Sequence, residues 1–322
     1  MDSIEIDGSL GEGGGQICRT ALSLSALTGK SLNIYNIRAG RDAPGLKPQH
    51  VACARAVRSI ARGTLEGAEE GSDELRYSPV QIYGGDYEFD IGTAGSTVLL
   101  AQAILPLLFA SSKKSTIRIR GGTHVPKAPT FEYFERVFLP ALSVFGLQAK
   151  CTIGRAGFFP RGGGEITLEV NPGAPKPVTY WPRESITRAI LTYSNLPLKV
   201  PIREKKIMIT NDINEVYIRE YEATDPGNAV LLWKGFCGSA VLGKKGLRSE
   251  EVSQIAIEEL ENEKDAEVDR HLADQLLLYA ALAGKTRFKT SLISKHTETN
   301  IYVIEKFLGK KFFTEGNEVW VE

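Results

Sequence analysis

The sequence predicts an α/β fold in which a smaller domain interrupts a larger one. Three observations carry this. Segments with the period-2 alternation of strands alternate with helix-like apolar stripes through the first half. Near Gly173 the texture breaks into the proline-rich NPGAPKPVTYWPRES, and a more charged block follows to about Glu267. From Asp269 the first texture resumes. The expected organisation is a large domain built from residues 1–175 and 268–322, with residues 176–267 inserted as a smaller domain.

Taken in order, GSLGEGGGQICRT places a glycine loop just before a helix-like run, where backbone must bend sharply or approach something closely. SLNIYNIRAG alternates as a strand. PQHVACARAVRSIARGT opens with Pro48, a favoured helix entry, and GSTVLLAQAILPLLFASS is a mostly apolar helix. TIRIRGG returns to strand, and TFEYFERVFLPALSVFG has helical spacing closed by Gly146. CTIGRAGFFPRGGGEITLEV supplies two strands around a second triple glycine, and its GGGEI echoes GGGQI at 13–17, a hint of internal duplication. After the charged block, DRHLADQLLLYAALAGKTRFKTSLISKHTETNIYVIEKFLG reads as helix, Gly284, strand, turn and helix. The inserted block has mixed charge, which suits an RNA or partner contact and a stabilising appendage equally.

Composition narrows the function. Of 322 residues, 39 are Lys or Arg and 39 are Asp or Glu, so the net charge is zero and any nucleic-acid contact must be local rather than a bulk electrostatic coat. Cys18, Cys53, Cys151 and Cys237 are widely spaced with no CxxC pair, which argues against a zinc site or a disulfide scaffold and for buried thiols. The start, MDSIEIDGS, is acidic and lacks a signal-peptide pattern, and the longest apolar run, VLLAQAILPLLFA, is too short to cross a bilayer and contains Pro106. The expectation is a cytoplasmic protein with no membrane contact.

The glycine loop fits neither GxxxxGK[ST] nor GxGxxG with a following ribose-reading acid, so a standard nucleotide fold is not indicated. Polar residues nevertheless gather around it: Glu12 in the loop, Arg19 at the helix start, Arg38 and Arg41 in IRAGRDAPG, then Lys47 and Gln49. Arginine forks bind phosphate oxygens in pairs, and several on successive turns would make an anion cradle. Arg55, Arg58 and Arg62 share a helix face, which could hold an RNA backbone but reads more simply as a solvated face, since no aromatic residues interleave. Of four histidines, His296 stands out: Thr297, Thr299 and Asn300 are capping-type residues, so its ring belongs near a helix N-terminus, which favours a neutral, nucleophilic imidazole. His50 and His124 have no assigned role, and a capping or surface position remains open for His296.

GEGGGQICR, IRAGRDAPGLKPQH, GGDYEFDIGTAGS, HLADQ and KHTETNIYVIEKF, in this order, resemble the RNA 3′-terminal phosphate cyclase family across nearly the whole chain. The resemblance implies a large domain of repeated βαβαββ units, related to the enolpyruvyl transferases, with a smaller α/β domain inserted. It implies that a histidine attacks the α-phosphate of ATP, that AMP passes to an RNA 3′-phosphate, and that the 2′-hydroxyl then displaces AMP to leave a 2′,3′-cyclic phosphate. KHTETN places the nucleophile at His296. Glu12 matches the acid near a divalent metal, Mg2+ or Mn2+, and Arg19, Arg38, Arg41 and Gln49 match the phosphate-facing cluster. Gln102 and the run His271, Leu272, Ala273, Asp274 and Gln275 match the ATP contacts. At 271 the family pattern expects a phenol against adenine and this chain has His271, which can still stack. Two other readings of the same fold, a silent RNA-processing scaffold and an enolpyruvyl-type small-molecule transferase, are disfavoured by the presence of His296 and of HLADQ.

Overall fold

A computed structural model describes residues 3–11 and 14–322. Its architecture is one six-element pattern used three times. In the first unit β1 (Ser3–Asp7), α1 (Gly15–Thr28), β2 (Ser31–Tyr35), α2 (Pro48–Ala61), β3 (Thr64–Glu66) and β4 (Leu75–Ser78) form a sheet ordered β1-β2-β4-β3. The second unit repeats the order as β5-β6-β8-β7, from β5 (Asp86–Asp90), β6 (Ser115–Gly121), β7 (Ala149–Arg155) and β8 (Gly164–Val170). Its first helix is α3 (Thr97–Phe109). Its second is α4 (Phe131–Tyr133), which runs through a π turn at Phe134–Phe138 into α5 (Leu139–Val144). In both units the first two strands pair in parallel and the rest antiparallel.

The third unit is split. Its sheet is β13 (Thr286–Lys289), β15 (Glu318–Val321) and β14 (Phe312–Glu315), with helices α8 (Arg270–Ala283) and α9 (Lys295–Leu308). The place of its first strand is taken by the segment around Val178, whose N–H donates to Thr286 Oγ1 at 3.1 Å and whose carbonyl accepts from the Arg287 N–H at 2.9 Å. Between that segment and α8 the chain builds a further sheet, β10-β9-β11-β12, from β9 (Arg188–Ser194), β10 (Glu215–Glu220), β11 (Gly227–Lys234) and β12 (Cys237–Leu242), with α6 (Lys199–Thr210) and α7 (Ser249–Glu261) against it. Ala189, Leu191, Val230 and Leu232 face α6 and α7 in a small core of their own, while Ile190, Leu231 and Trp233 join the main core. The central strands β9 and β11 are therefore covered on both faces, which accounts for their apolar runs. Trp181, which the expected boundary at residue 175 assigns to the insertion, also belongs to the main core.

The structure adjusts several local readings. The strand in SLNIYNIRAG ends at Tyr35, because Asn36 and Arg38 turn the chain at φ 53° and 57°. The helix read over TFEYFERVFLPALSVFG opens to π geometry just ahead of Pro140, where the Leu139 N–H bonds back to the Phe134 carbonyl. GGGQI leads into a helix and GGGEI into a strand, so that echo does not mark equivalent positions; the duplication lies in the order of elements. All four cysteines are free and buried.

Trp181 ties the segment beside β13 to its surroundings. It is 1% exposed, donates from Nε1 to the Arg287 carbonyl at 3.1 Å, and meets Phe145, Phe236 and Phe288 edge-on at 5.9, 5.3 and 6.3 Å. Trp181→Ala should cost about 3–5 kcal/mol of stability in urea unfolding; a loss below about 1 kcal/mol would show that this contact does not hold the insertion point.

Candidate active site

The helices of the three units meet in the interior, with α1 against α2, α3 and α9, and α8 against α9. The first turns of α1, α2 and α9 come together there. Gly14 is the N-cap of α1 and, as a glycine, offers no capping side chain of its own to the positive end of the helix. A β-carbon at Gly14 would lie 3.6 Å from Arg41 Nη2 and 3.9 Å from His296 Cε1, so the guanidinium and the imidazole both stand beside the backbone here. A β-carbon at Gly15 would collide with His50 Nε2 and stand 3.1 Å from Arg19 Nη1. At Gly11, where φ is 59°, it would collide with Thr299 Oγ1. Close approach thus explains Gly11 and Gly15.

His296 is the second residue of α9. The helix begins earlier than the capping-type residues suggested: Ser294 is the N-cap, accepting from the Thr297 N–H at 3.1 Å, and Thr297, Thr299 and Asn300 lie inside the first turns. Asn300 instead fastens the helix: its Oδ1 accepts from Thr20 Oγ1 at 2.6 Å and its Nδ2 donates to the Asp274 carbonyl at 2.8 Å, joining α1, α9 and α8. The His296 ring is half-buried beside the loop.

The cationic side is built by Arg19, Arg38 and Arg41. Burial lowers the pKa of Arg19, while nearby Cys53, Cys18 and Asp274 raise it. Burial and then the Arg41 charge lower that of Arg38. Neighbouring guanidiniums that push on one another describe a place where an anion is stabilising. Arg38 also staples its own turn, donating from Nη1 to the Ala43 and Gly45 carbonyls at 2.7 and 3.0 Å. Gln49 Oε1 accepts from the Ser96 N–H at 2.9 Å, tying α2 to the cap of α3.

Placement of the other expected residues divides. Gln102 Nε2 donates to Gln275 Oε1 at 2.6 Å, bringing α3 and α8 together. His271 is exposed at the start of α8, and Asp274 lies near Arg19. Leu272 and Ala273 are sealed in the core at 0% exposure, so their side chains seat the helix rather than meet a ligand. Glu12 lies outside the described residues. The Arg55, Arg58 and Arg62 stripe is engaged locally: Arg55 and Arg58 donate to the Ala68 and Gly63 carbonyls, each at 3.4 Å, and Arg62 covers the Tyr83 ring. Among the described residues no group of three or more His, Cys, Asp or Glu side chains is arranged to hold a metal ion, and no helix is long and apolar enough to cross a membrane.

Sequence reasoning missed two residues. Asp269 caps α8, accepting from the His271 and Leu272 N–H groups at 2.8 Å each, and also takes the Tyr133 hydroxyl and the Gly238 N–H. An Asp two residues before HLADQ was a readable cap signal. His50, left without a role, faces Gly15 and Arg19. Its Nδ1 accepts the Lys47 N–H at 3.0 Å, which leaves the proton of the neutral ring on Nε2, toward the loop. His124 keeps a structural place, buried between Glu132 at 2.6 Å and Thr123 at 2.7 Å and stacked on Phe158.

The family model for RNA 3′-terminal phosphate cyclase matches residues 10–314. The chain belongs to the RNA 3′-terminal phosphate cyclase family. Among the cyclases it is similar to, that of Archaeoglobus fulgidus is 42% identical, with 99% of this chain and 100% of that one aligned. That of Methanosarcina barkeri is 40% identical over 98% and 97%, and that of Ectopseudomonas mendocina 41% over 98% and 96%. Among solved structures, the enolpyruvyl transferase NikO from Streptomyces tendae aligns at TM-score 0.30 and 12% identity over 65% of this chain and 38% of its own, a likeness too slight to carry an argument.

Within this cyclase fold His50 is held neutral. Burial, then Arg19, Arg38 and Lys47, push its pKa down from 6.5 to about 3. Below pH 6.5 the unfolded chain takes up a proton that the folded chain refuses, so this stability is full above pH 6.5 and is lost as pH falls toward 3, by about 1.4 kcal/mol per pH unit. Urea unfolding between pH 7 and 4.5 should show this slope, and His50→Gln should flatten it by that amount. Equal slopes in both proteins would place a solvated imidazole at position 50.

Proposed function

We propose that the protein uses ATP to convert an RNA 3′-terminal phosphate into a 2′,3′-cyclic phosphodiester through a covalent histidine-AMP intermediate. The observation that carries this is that His296 and Arg41 both stand beside Gly14, at the start of α1. It sets a nitrogen nucleophile beside a cation and the positive end of a helix, the parts a phosphoryl centre needs. The family membership and the names of the relatives support the overall reaction.

In the first step a ring nitrogen of His296 attacks the α-phosphorus of ATP, and the bond to pyrophosphate breaks. An oxygen of the RNA 3′-phosphate then takes AMP, and the P–N bond breaks. Finally the adjacent 2′-hydroxyl attacks the activated phosphorus and AMP leaves, its proton passing to solvent or a phosphate oxygen. Dividing the reaction this way replaces one difficult displacement by easier ones, the last between groups already held side by side. Arg19, Arg38 and Arg41 would neutralise charge on nonbridging oxygens. His50, with its proton on Nε2, is suited to donate a hydrogen bond to the same anion. Gln102, Gln275, Asp274 and the exposed His271 line our proposed nucleotide side, with His271 against adenine.

A divalent cation, Mg2+ or Mn2+, fits as a shared ligand of substrate and protein. Such ions at phosphate sites need only one or two carboxylates together with phosphate oxygens, and we assign Glu12 as that carboxylate. When bound, the ion supplies further charge neutralisation on the triphosphate.

His296→Ala should keep the fold, because the half-exposed ring contributes little packing, and should lower cyclisation of a 3′-phosphorylated RNA by several orders of magnitude. With the unmutated protein, the same RNA carrying a terminal 2′-deoxyribose should accept AMP and stop there. Cyclic product without ATP, or full activity in His296→Ala, would contradict the proposal.

A further inference from the structure

A cavity of about 350 Å³ lies between the first half of α2 and strand β5. One wall is Pro48, Val51 and Ala52, and the facing wall is Phe89 and Ile91. The two walls are apolar and the rim is charged, with the carboxylates Glu70, Glu88 and Asp90 exposed at the mouth beside the single guanidinium of Arg55. Phe89 is half-buried and stacked on Tyr87 with ring centroids 5.9 Å apart, so its ring belongs to a supported aromatic pair rather than to a loose surface side chain.

The cavity and the candidate site share the first turn of α2. Pro48 lines the cavity, Gln49 reaches the cap of α3, and His50 faces Gly15 and Arg19. On the other wall, a β-carbon at Gly95 would lie within 3.1 Å of both Ile91 and Gln49 side-chain carbons, so the cavity lining touches the residue that anchors Ser96. A polymer whose phosphate sits in the cradle therefore has this slot beside it.

The chemistry selects what enters. Three carboxylates against one guanidinium leave the rim net acidic, and the carboxylates accept hydrogen bonds from N–H groups. A flat slot between an aliphatic helix wall and a phenyl ring suits a planar group. A nucleobase has both properties, and aromatic stacking is the usual protein contact for an unpaired base. The formal charge balance of the chain agrees with gripping an end by its phosphate and one base rather than along a backbone.

We propose that this slot holds the base of the 3′-terminal nucleotide, stacked on Phe89, with Glu70 and Asp90 favouring bases that present amino groups over uracil. The inference rests on the RNA-end reading above. Phe89→Leu keeps an apolar side chain and removes the aromatic face, while Ala52→Trp fills the slot from the opposite wall. Attachment of labelled AMP to the protein needs no RNA and serves as the control. The expected result is AMP attachment within about twofold of the unmutated protein, and a KM for 3′-phosphorylated RNA raised about tenfold or more in both variants. RNA with an abasic 3′-terminal nucleotide should show the same loss with the unmutated protein and little further loss with Phe89→Leu. Loss of AMP attachment in both variants would assign the slot to the adenine of ATP, and unchanged KM values or fully additive losses with abasic RNA would place the base elsewhere; each outcome overturns the proposal. If the unmutated protein takes up no AMP, the functional reading itself fails and this inference with it.

Discussion

The close approach of the glycine loop to three helix starts is the constraint on which the site depends. Thr299 and His50 press against Gly11 and Gly15 and leave no room for a side chain there, while Arg41 and His296 stand at van der Waals distance from a β-carbon built at Gly14. The backbone at these glycines thereby comes close to both the imidazoles and the guanidiniums. Charge follows from that packing. Arg19 and Arg38 are partly withdrawn from water, and His50 is kept neutral beside them, so the region is cationic and its charges are poorly solvated.

Repetition explains why the helix starts converge. Each unit contributes a first helix and a second helix, and α1 with α2, α3 with α4 and α5, and α8 with α9 occupy matching positions in the element order. His50 and His296 sit in the first turns of matching second helices, α2 and α9, yet do different work: one caps its own helix through Nδ1, and the other stands beside Gly14. Asp269 links the third unit to its neighbours. Its buried carboxylate receives Tyr133 from the second unit, Gly238 from the inserted sheet and the first amides of α8. The insertion is therefore joined at the start of the helix that carries Gln275, rather than hanging from a loose linker.

Much of this was legible in the chain, and the failures have physical causes. Helices α1, α2, α3, α8 and α9 declare themselves through apolar spacing, Pro48 and terminal glycines, and strands β6, β7 and β8 through strict alternation. DYEFD was missed as β5 because acidic residues on an edge strand mask its Tyr87 and Phe89 face. The first strand of the third unit could not be read, since Val178 pairs with a strand more than a hundred residues away. Leu272 and Ala273 matched a family motif but serve the core, because a helix needs an inward face whatever its outward face binds. His50 escaped because nothing local tells a capping imidazole from one that also meets a glycine loop.

Locating AMP on the protein tests the central claim most directly. Peptide mapping by mass spectrometry after exposure to ATP and a divalent cation should find a single AMP on the peptide carrying His296, bound as a phosphoramidate that survives alkali and is lost in acid. AMP on a carboxylate such as Asp274, with the lability of an acyl phosphate, or an adduct that persists in His296→Ala, would contradict the account.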